Sequence, residues 1–142
     1  MLYRDLIRTK GMQPLPGVAQ WVHRLHEEGW LQAIASSAPR PNIDVVLDAL
    51  GAAGFFQGIV SADDVHRGKP DPEVYLSAAL RVGVSPARCI VVEDAAGIQG
   101  VRAAGMRSIG VEHNGKRLAA DVAVKSLDLL KADAFEKLLS TR

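Results

Sequence analysis

The 142-residue chain has a single cysteine, only 5% aromatic residues, no excess of either charge and no apolar run long enough to span a bilayer. Each scarcity removes a class of protein. Cys89 has no second cysteine with which to close an internal disulfide, and the opening Met1-Leu2-Tyr3-Arg4-Asp5 carries no apolar signal-peptide core, so a reducing cytoplasm is the expected compartment. The 17 Lys and Arg residues are interspersed with 16 Asp and Glu for a net charge of +1, which leaves no long-range field to draw in nucleic acid or an anionic membrane. Neither is an expected partner, and any anion must be held by a local site. There is no repeat and no low-complexity linker. At 48% hydrophobic and 23% charged, the chain can bury the core of one domain, expected to cover 1–142.

The apolar pattern alternates between two periods. Val18, Trp21, Val22 and Leu25 fall at i, i+3, i+4 and i+7, a helix stripe that opens after Pro16-Gly17 and ends at Gly29. Residues 31–35 form a short apolar run suited to a buried strand, and Ile43, Val46, Leu47 and Leu50 restart the helical spacing after Pro39-Arg40-Pro41. The order then repeats: 58–60 as strand, 72–82 as helix, 89–92 as strand, 98–104 as helix, 108–111 as strand, 122–124 as a short strand and 133–139 as a closing helix. The middle helix is the best delimited. Tyr75, Ala78, Ala79 and Val82 make its stripe, Asp71 can cap it, Pro72 suits its first turn and Gly83 its end. Strands and helices alternating at this spacing predict an α/β fold, a Rossmann-like and mainly parallel sheet with helices on both faces. Such sheets bind ligands beyond the carboxyl ends of their strands.

Three of those strand ends are chemically unusual. At Ile34-Ala35-Ser36-Ser37 a strand ends in two hydroxyls just before a helix. A phosphate there would meet hydroxyl and backbone N–H donors within the positive end of the helix dipole, and the alternative is a plain helix cap or turn. In Gly68-Lys69-Pro70-Asp71-Pro72 the proline restricts the backbone of the lysine before it, so its ammonium can be presented to a phosphoryl group; the alternative is an exposed loop lysine. Cys89-Ile90-Val91-Val92-Glu93-Asp94 delivers two adjacent carboxylates into the expected crevice. Two neighbouring anions call for a cation, and oxygen-only ligands beside a phosphoryl group suit Mg²⁺; the alternative is Asp94 capping the next helix with Glu93 solvated. Cys89, among aliphatic neighbours, reads as a small core residue. Trp21 and Trp30 read as packing, and His23, His26, His66 and His113 have no metal-ligand spacing. A dinucleotide site is disfavoured because no G-x-G-x-x-G follows a strand.

Taken in order, these strand ends resemble the haloacid dehalogenase superfamily. Ala35-Ser36-Ser37 resembles its second motif, Gly68-Lys69-Pro70-Asp71-Pro72 its third, and Val92-Glu93-Asp94 with Gly97 its fourth, while Ala103-Ala104-Gly105-Met106 also fits. Leu15-Pro16-Gly17-Val18 looks like the point where the chain returns from a helical cap in the phosphoglucomutase and phosphoglycolate phosphatase branch. The resemblance covers nearly the whole chain. It implies that Ser36, helped by the backbone N–H of Ser37, binds the transferring phosphoryl group, that Lys69 is the catalytic lysine pairing with that group and the nucleophile, and that Glu93 and Asp94 hold Mg²⁺. Arg40, in the turn after the serines, is a further candidate phosphate contact; the alternative is a solvated arginine. In the family the first aspartate of an Asp-x-Asp motif is the nucleophile and the second the general acid and base, and an aspartyl-phosphate forms and is hydrolysed.

The sequence departs from that pattern in two places. No Asp-x-Asp occurs, and Asp94-Ala95-Ala96-Gly97 is one residue shorter than the usual loop. The motif lies on the family's central first strand, followed by the cap, so both are expected to be missing here. The strands at 31–35 and 89–92 would then face each other with open edges, predicting rearrangement, self-association or pairing with an N-terminal segment. The expected function is a Mg²⁺-dependent phosphatase core for a small phosphorylated metabolite, inactive as this chain alone. Its rivals are a non-catalytic phosphate- and Mg²⁺-binding module and a fragment of a sugar-phosphate mutase.

Overall fold

A computed structural model describes residues 2–3, 17–68, 71–93, 97–112 and 119–140, with the backbone path alone at 2–3. In chain order the elements are β1 (Leu2–Tyr3), α1 (Val18–Glu27), β2 (Ala33–Ala35), α2 (Arg40–Leu50), β3 (Gly58–Val60), α3 (Glu73–Val82), β4 (Ile90–Glu93), α4 (Ile98–Ala103), β5 (Arg107–Val111), β6 (Val122–Val124) and α5 (Ala134–Ser140). The six strands form one sheet in the order β3-β2-β1-β4-β5-β6, and every neighbouring pair is parallel. The expected α/β class is therefore observed. No helix among the described residues is long and apolar enough to cross a membrane.

Boundaries shift where side chains or turns take over backbone partners. The expected strand at 31–35 starts only at Ala33, because the Gln57 side chain accepts from the Gln32 N–H at 2.7 Å while Leu31 is exposed. Cys89 drops out of β4 because its N–H closes a 3₁₀ turn on Pro86 O, and Glu93 joins by pairing with Gly110. The second helix begins at Arg40, earlier than its apolar spacing suggests. Pro41 sits in the first turn, where a helix has no use for its missing N–H. α3 follows its sequence signals closely: Asp71 Oδ1 accepts the Glu73 N–H at 2.9 Å, and Gly83 ends the helix at φ 69°.

The sheet winds in two directions from its middle. From β1 the chain steps outward to β2 and β3, then α3 carries it back across to β4, and β5 and β6 extend the other side. The switch point lies between β1 and β4, where helices diverge and a crevice opens at the carboxyl ends of the strands. Here the expectation of open edges is corrected. Leu2–Tyr3 lies between β2 and β4, with Leu2 opposite Ala33 and Val91 and Tyr3 opposite Ile34 and Val92. Two extended residues are enough to pair parts of both facing edges, which relieves the cost of leaving those N–H and C=O groups without partners. This short strand contributes no carboxylate.

Alternating side chains of the strands feed two apolar layers. Ile34 of β2, with Ile90 and Val92 of β4, faces α1, α2 and α5; Ala33, Ala35 and Val91 face α3 and α4. α1 is also joined to the C-terminal segment. Trp21 donates its Nε1–H to Leu127 O at 2.8 Å and lies 5.0 Å from the Phe135 ring, while Trp30 lies 5.9 Å from that ring, so both tryptophans serve packing. Gly17 makes this junction possible. Its φ is +85°, and a Cβ there would stand 2.4 Å from the Asp128 nitrogen. Gly29 has the same φ with nothing near its missing side chain. Gly29→Ala should cost about 1–2 kcal/mol for the left-handed conformation alone. Gly17→Ala should cost at least about 1 kcal/mol more, because backbone must also move. Urea unfolding of the two variants checks this, and equal losses would contradict the close approach.

Candidate functional site

Ser36 follows the last residue of β2 and is only 8% exposed. Its N–H donates to Val60 O at 3.0 Å, extending the β2–β3 ladder by one bond, and its Oγ accepts the Ala38 N–H at 3.0 Å. The carbonyl of Ala38 in turn accepts the Ala62 N–H, so the turns after β2 and β3 are tied together. Neither serine caps α2, whose N-cap is Pro39. Of the two structural alternatives, cap or turn, the Ser36 hydroxyl takes the second by closing a local turn on the Ala38 N–H. The Ser36 hydroxyl proton has no acceptor among the described residues, and Ser37 beside it is exposed. Arg40 opens α2, and its Nε pairs with Asp44 Oδ1 at 3.0 Å on the exposed face, a contact worth only about 0.3–0.5 kcal/mol.

At the other side of the switch point stands Glu93, the last residue of β4, with 0% of its surface exposed. The expectation of a solvated Glu93, offered as the alternative to a metal ligand, is corrected. Its Oε2 accepts the Tyr75 hydroxyl at 2.6 Å, and that hydroxyl also lies 3.2 Å from Gly97 O. Gly97 presses against the same side chain: a Cβ on it would come within 2.1 Å of Glu93 Cδ. A buried carboxylate is tolerated only when hydrogen-bonded or paired with a cation, so its position at the strand end suits a cation-binding role. Among the described residues no three His, Cys, Asp or Glu side chains gather closely enough to hold a metal by themselves. An all-oxygen set with few protein ligands fits Mg²⁺, which keeps much of its water, better than it fits zinc.

Lys69 and Asp94 lie outside the described residues. The chain on either side of 69–70 is well anchored. The Asp71 N–H donates to Gly68 O at 3.0 Å, and the Glu73 carboxylate accepts the N–H groups of His66 and Arg67 at 2.7 and 3.2 Å. After β3, the backbone N–H of Ser61 and then its hydroxyl donate to Asp64 Oδ2, at 2.8 and 3.0 Å, and Arg81 approaches Oδ1 at 3.4 Å. Together they hold the Asp64 carboxyl below its ordinary range. Cys89 is buried, its Sγ 3.4 Å from Ser85 O, and burial pushes its thiol up, as fits a core residue. Two surface hollows lie apart from Ser36 and Glu93: one of about 550 Å³ beside Leu76 and Leu80 of α3, another of about 600 Å³ between β6 and α5.

Two participants escaped the sequence reading. The Ser61-x-x-Asp64 box was legible as a serine three residues before an acid. The contact of Tyr75 with Glu93 was not, since Tyr75 looks like any apolar stripe residue and its partner is 18 positions away. Two outcomes follow. Gly97→Ala should destabilise the fold by about 1–3 kcal/mol in denaturant titration, because the added Cβ would push the buried Glu93 side chain off the Tyr75 hydroxyl; a neutral change would refute the contact. Asp64, with its folded pKa depressed, stabilises the fold at pH values above the unfolded value of 3.8 and loses that contribution as pH falls through the folded value. The gap between the unfolding midpoints of wild type and Asp64→Asn should therefore be constant between about pH 5 and 7 and close below the unfolded value. A gap that persists at lower pH would contradict the assignment.

Comparison with known proteins agrees with this geometry. The family model for haloacid dehalogenase-like hydrolases matches residues 2–111. The chain is 38% identical over 112 residues to β-phosphoglucomutase of Bacillus subtilis, covering 78% of this chain and 49% of that protein. It is 36% identical over 124 residues to hexitol phosphatase B of Escherichia coli, covering 83% and 56%. Its fold superposes on the crystal structure of CbbY from Rhodobacter sphaeroides in complex with phosphate with a TM-score of 0.79, at 26% identity, over 87% of this chain and 59% of that one. The chain thus spans about half the length of the curated relatives it matches. With the parallel sheet, the serine turn after β2 and the buried glutamate ending β4, this places the chain in the family of haloacid dehalogenase-like hydrolases.

Proposed function

We propose that this chain is the core of a Mg²⁺-dependent phosphohydrolase for small phosphorylated metabolites, and that its own residues bind the phosphoryl group and the metal without completing the reaction. Sugar and sugar-alcohol phosphates are the favoured class, since a phosphoglucomutase and a hexitol phosphatase are among its relatives. The observation that supports this most directly is the placement of Ser36 and Glu93 at the carboxyl ends of β2 and β4, the two strands on either side of the central β1. In this reading Ser36 donates its hydroxyl proton to a phosphoryl oxygen, and the Ser37 N–H supplies a second donor. Lys69 offers its ammonium to the same group, and Glu93 with Asp94 would hold Mg²⁺. When bound, the metal supplies neutralisation of the charge that builds on the transferring oxygens. Arg40 is left to its pair with Asp44 unless a larger substrate draws it away.

Attack on phosphorus by the family's route needs an aspartate of an Asp-x-Asp motif, and these 142 residues contain none. The proposal is therefore a binding half-site. Calorimetry on this chain should detect Mg²⁺ and inorganic phosphate, with Ser36→Ala or Lys69→Ala weakening phosphate about ten-fold or more, the size of a lost hydrogen bond to a charged group. Hydrolysis of p-nitrophenyl phosphate should stay at background. Mg²⁺-dependent release that Lys69→Ala abolishes would sink the binding-only reading and establish catalysis by some other nucleophile. Absence of phosphate binding would sink both.

A further inference from the structure

The tyrosine beneath the acidic strand end has a consequence for the metal. Tyr75 is the third residue of α3, the helix that starts just after the Gly68–Pro72 turn, and it is completely buried. Burying a tyrosine for packing alone would leave its hydroxyl to find any nearby acceptor. Here the acceptor is the one carboxylate that ends β4, at 2.6 Å, with Gly97 O at 3.2 Å as the competing acceptor. One phenolic proton can serve only one of them at a time. The backbone of Gly97 closes on the same carboxylate end and leaves no space for even a methyl group. Glu93 is thus held by a hydroxyl from α3 and by the backbone at the start of α4, and its carboxylate orientation is set by groups outside its own strand.

We propose that Tyr75 is a positioning residue for Mg²⁺, holding the Glu93 carboxylate in the orientation in which it can ligate the ion. The inference rests on the reading above that Glu93 is a metal ligand. Partners of ligating carboxylates typically govern metal affinity by about 10–100-fold. Tyr75 also joins the helix launched from the lysine turn to the acidic strand end, so the phosphoryl-binding and metal-binding parts of the site share one rigid link.

The test is Mg²⁺ titration of the 142-residue chain by calorimetry, comparing wild type, Tyr75→Phe, Glu93→Gln and the double variant. The expected result is about ten-fold or greater weakening in Tyr75→Phe, stronger loss in Glu93→Gln, and no further loss on adding Tyr75→Phe to Glu93→Gln. Affinity in Tyr75→Phe within two-fold of wild type would overturn the positioning role while leaving Glu93 as a ligand. If wild type binds no Mg²⁺, or Glu93→Gln binds as wild type does, the metal reading fails and this inference with it. A second measurement needs no change at Tyr75. The chain has two tyrosines, so in a Tyr3→Phe background the only tyrosine ζ-carbon resonance belongs to Tyr75. It should move with Mg²⁺ at the calorimetric midpoint, and a resonance that stays in place while Mg²⁺ binds would overturn the proposal.

Discussion

Putting the carboxylate of Glu93 at the inner end of β4, with none of its surface open to solvent, sets conditions that several other elements have to meet. A carboxylate removed from water loses several kcal/mol of solvation unless hydrogen bonds or a cation replace it. Tyr75 on α3 supplies one such bond, and it can do so only because α3 lies against the face of the sheet that also receives Val91 and Ala35. Gly97 supplies a close fit against the same carboxylate. A change to any of these three positions acts on the same buried charge.

The winding of the sheet does the rest. Because α3 returns the chain over β2 and β1 to reach β4, the ends of β2 and β4 face one crevice although Ser36 and Glu93 are separated by more than fifty residues. Among the described residues, Leu2 and Tyr3 of β1 hold the middle of the sheet. Parallel pairing on both sides of that short strand keeps the two halves in register, with Ile34 and Val92 on opposite sides of Tyr3. Central closure is thus achieved by backbone hydrogen bonding.

Much of this was readable from particular residues. The α3 boundaries follow from Asp71, Pro72 and Gly83, which act through a short-range side-chain bond or their own backbone and need no distant partner. Ser36 and Glu93 were readable as strand-end residues for the same local reason. The shortened start of β2 was not, since it depends on the Gln57 side chain bonding the Gln32 N–H from across the sheet. Nor was the burial of Glu93, which was expected to be solvated if it did not bind a metal. An acid following an apolar run carries no mark of which helix will cover it.

The sequence by itself determined the α/β alternation, the family, the positions of the serine turn and the acidic strand end, and the absence of an Asp-x-Asp pair. These are matters of residue type and short-range spacing, governed by backbone preferences that act within a few positions. Only the tertiary structure decided that Leu2–Tyr3 fills the centre of the sheet, that Ser61 and Asp64 lock the turn after β3, and that Tyr75 reaches Glu93. The first and last of these join segments far apart in the chain, and which groups meet there is settled by how helices pack on a twisted parallel sheet. The turn after β3 is local, and its Ser-x-x-Asp spacing was present in the sequence, but its geometry was fixed only once β3 delivered Ser61 to the edge of the crevice.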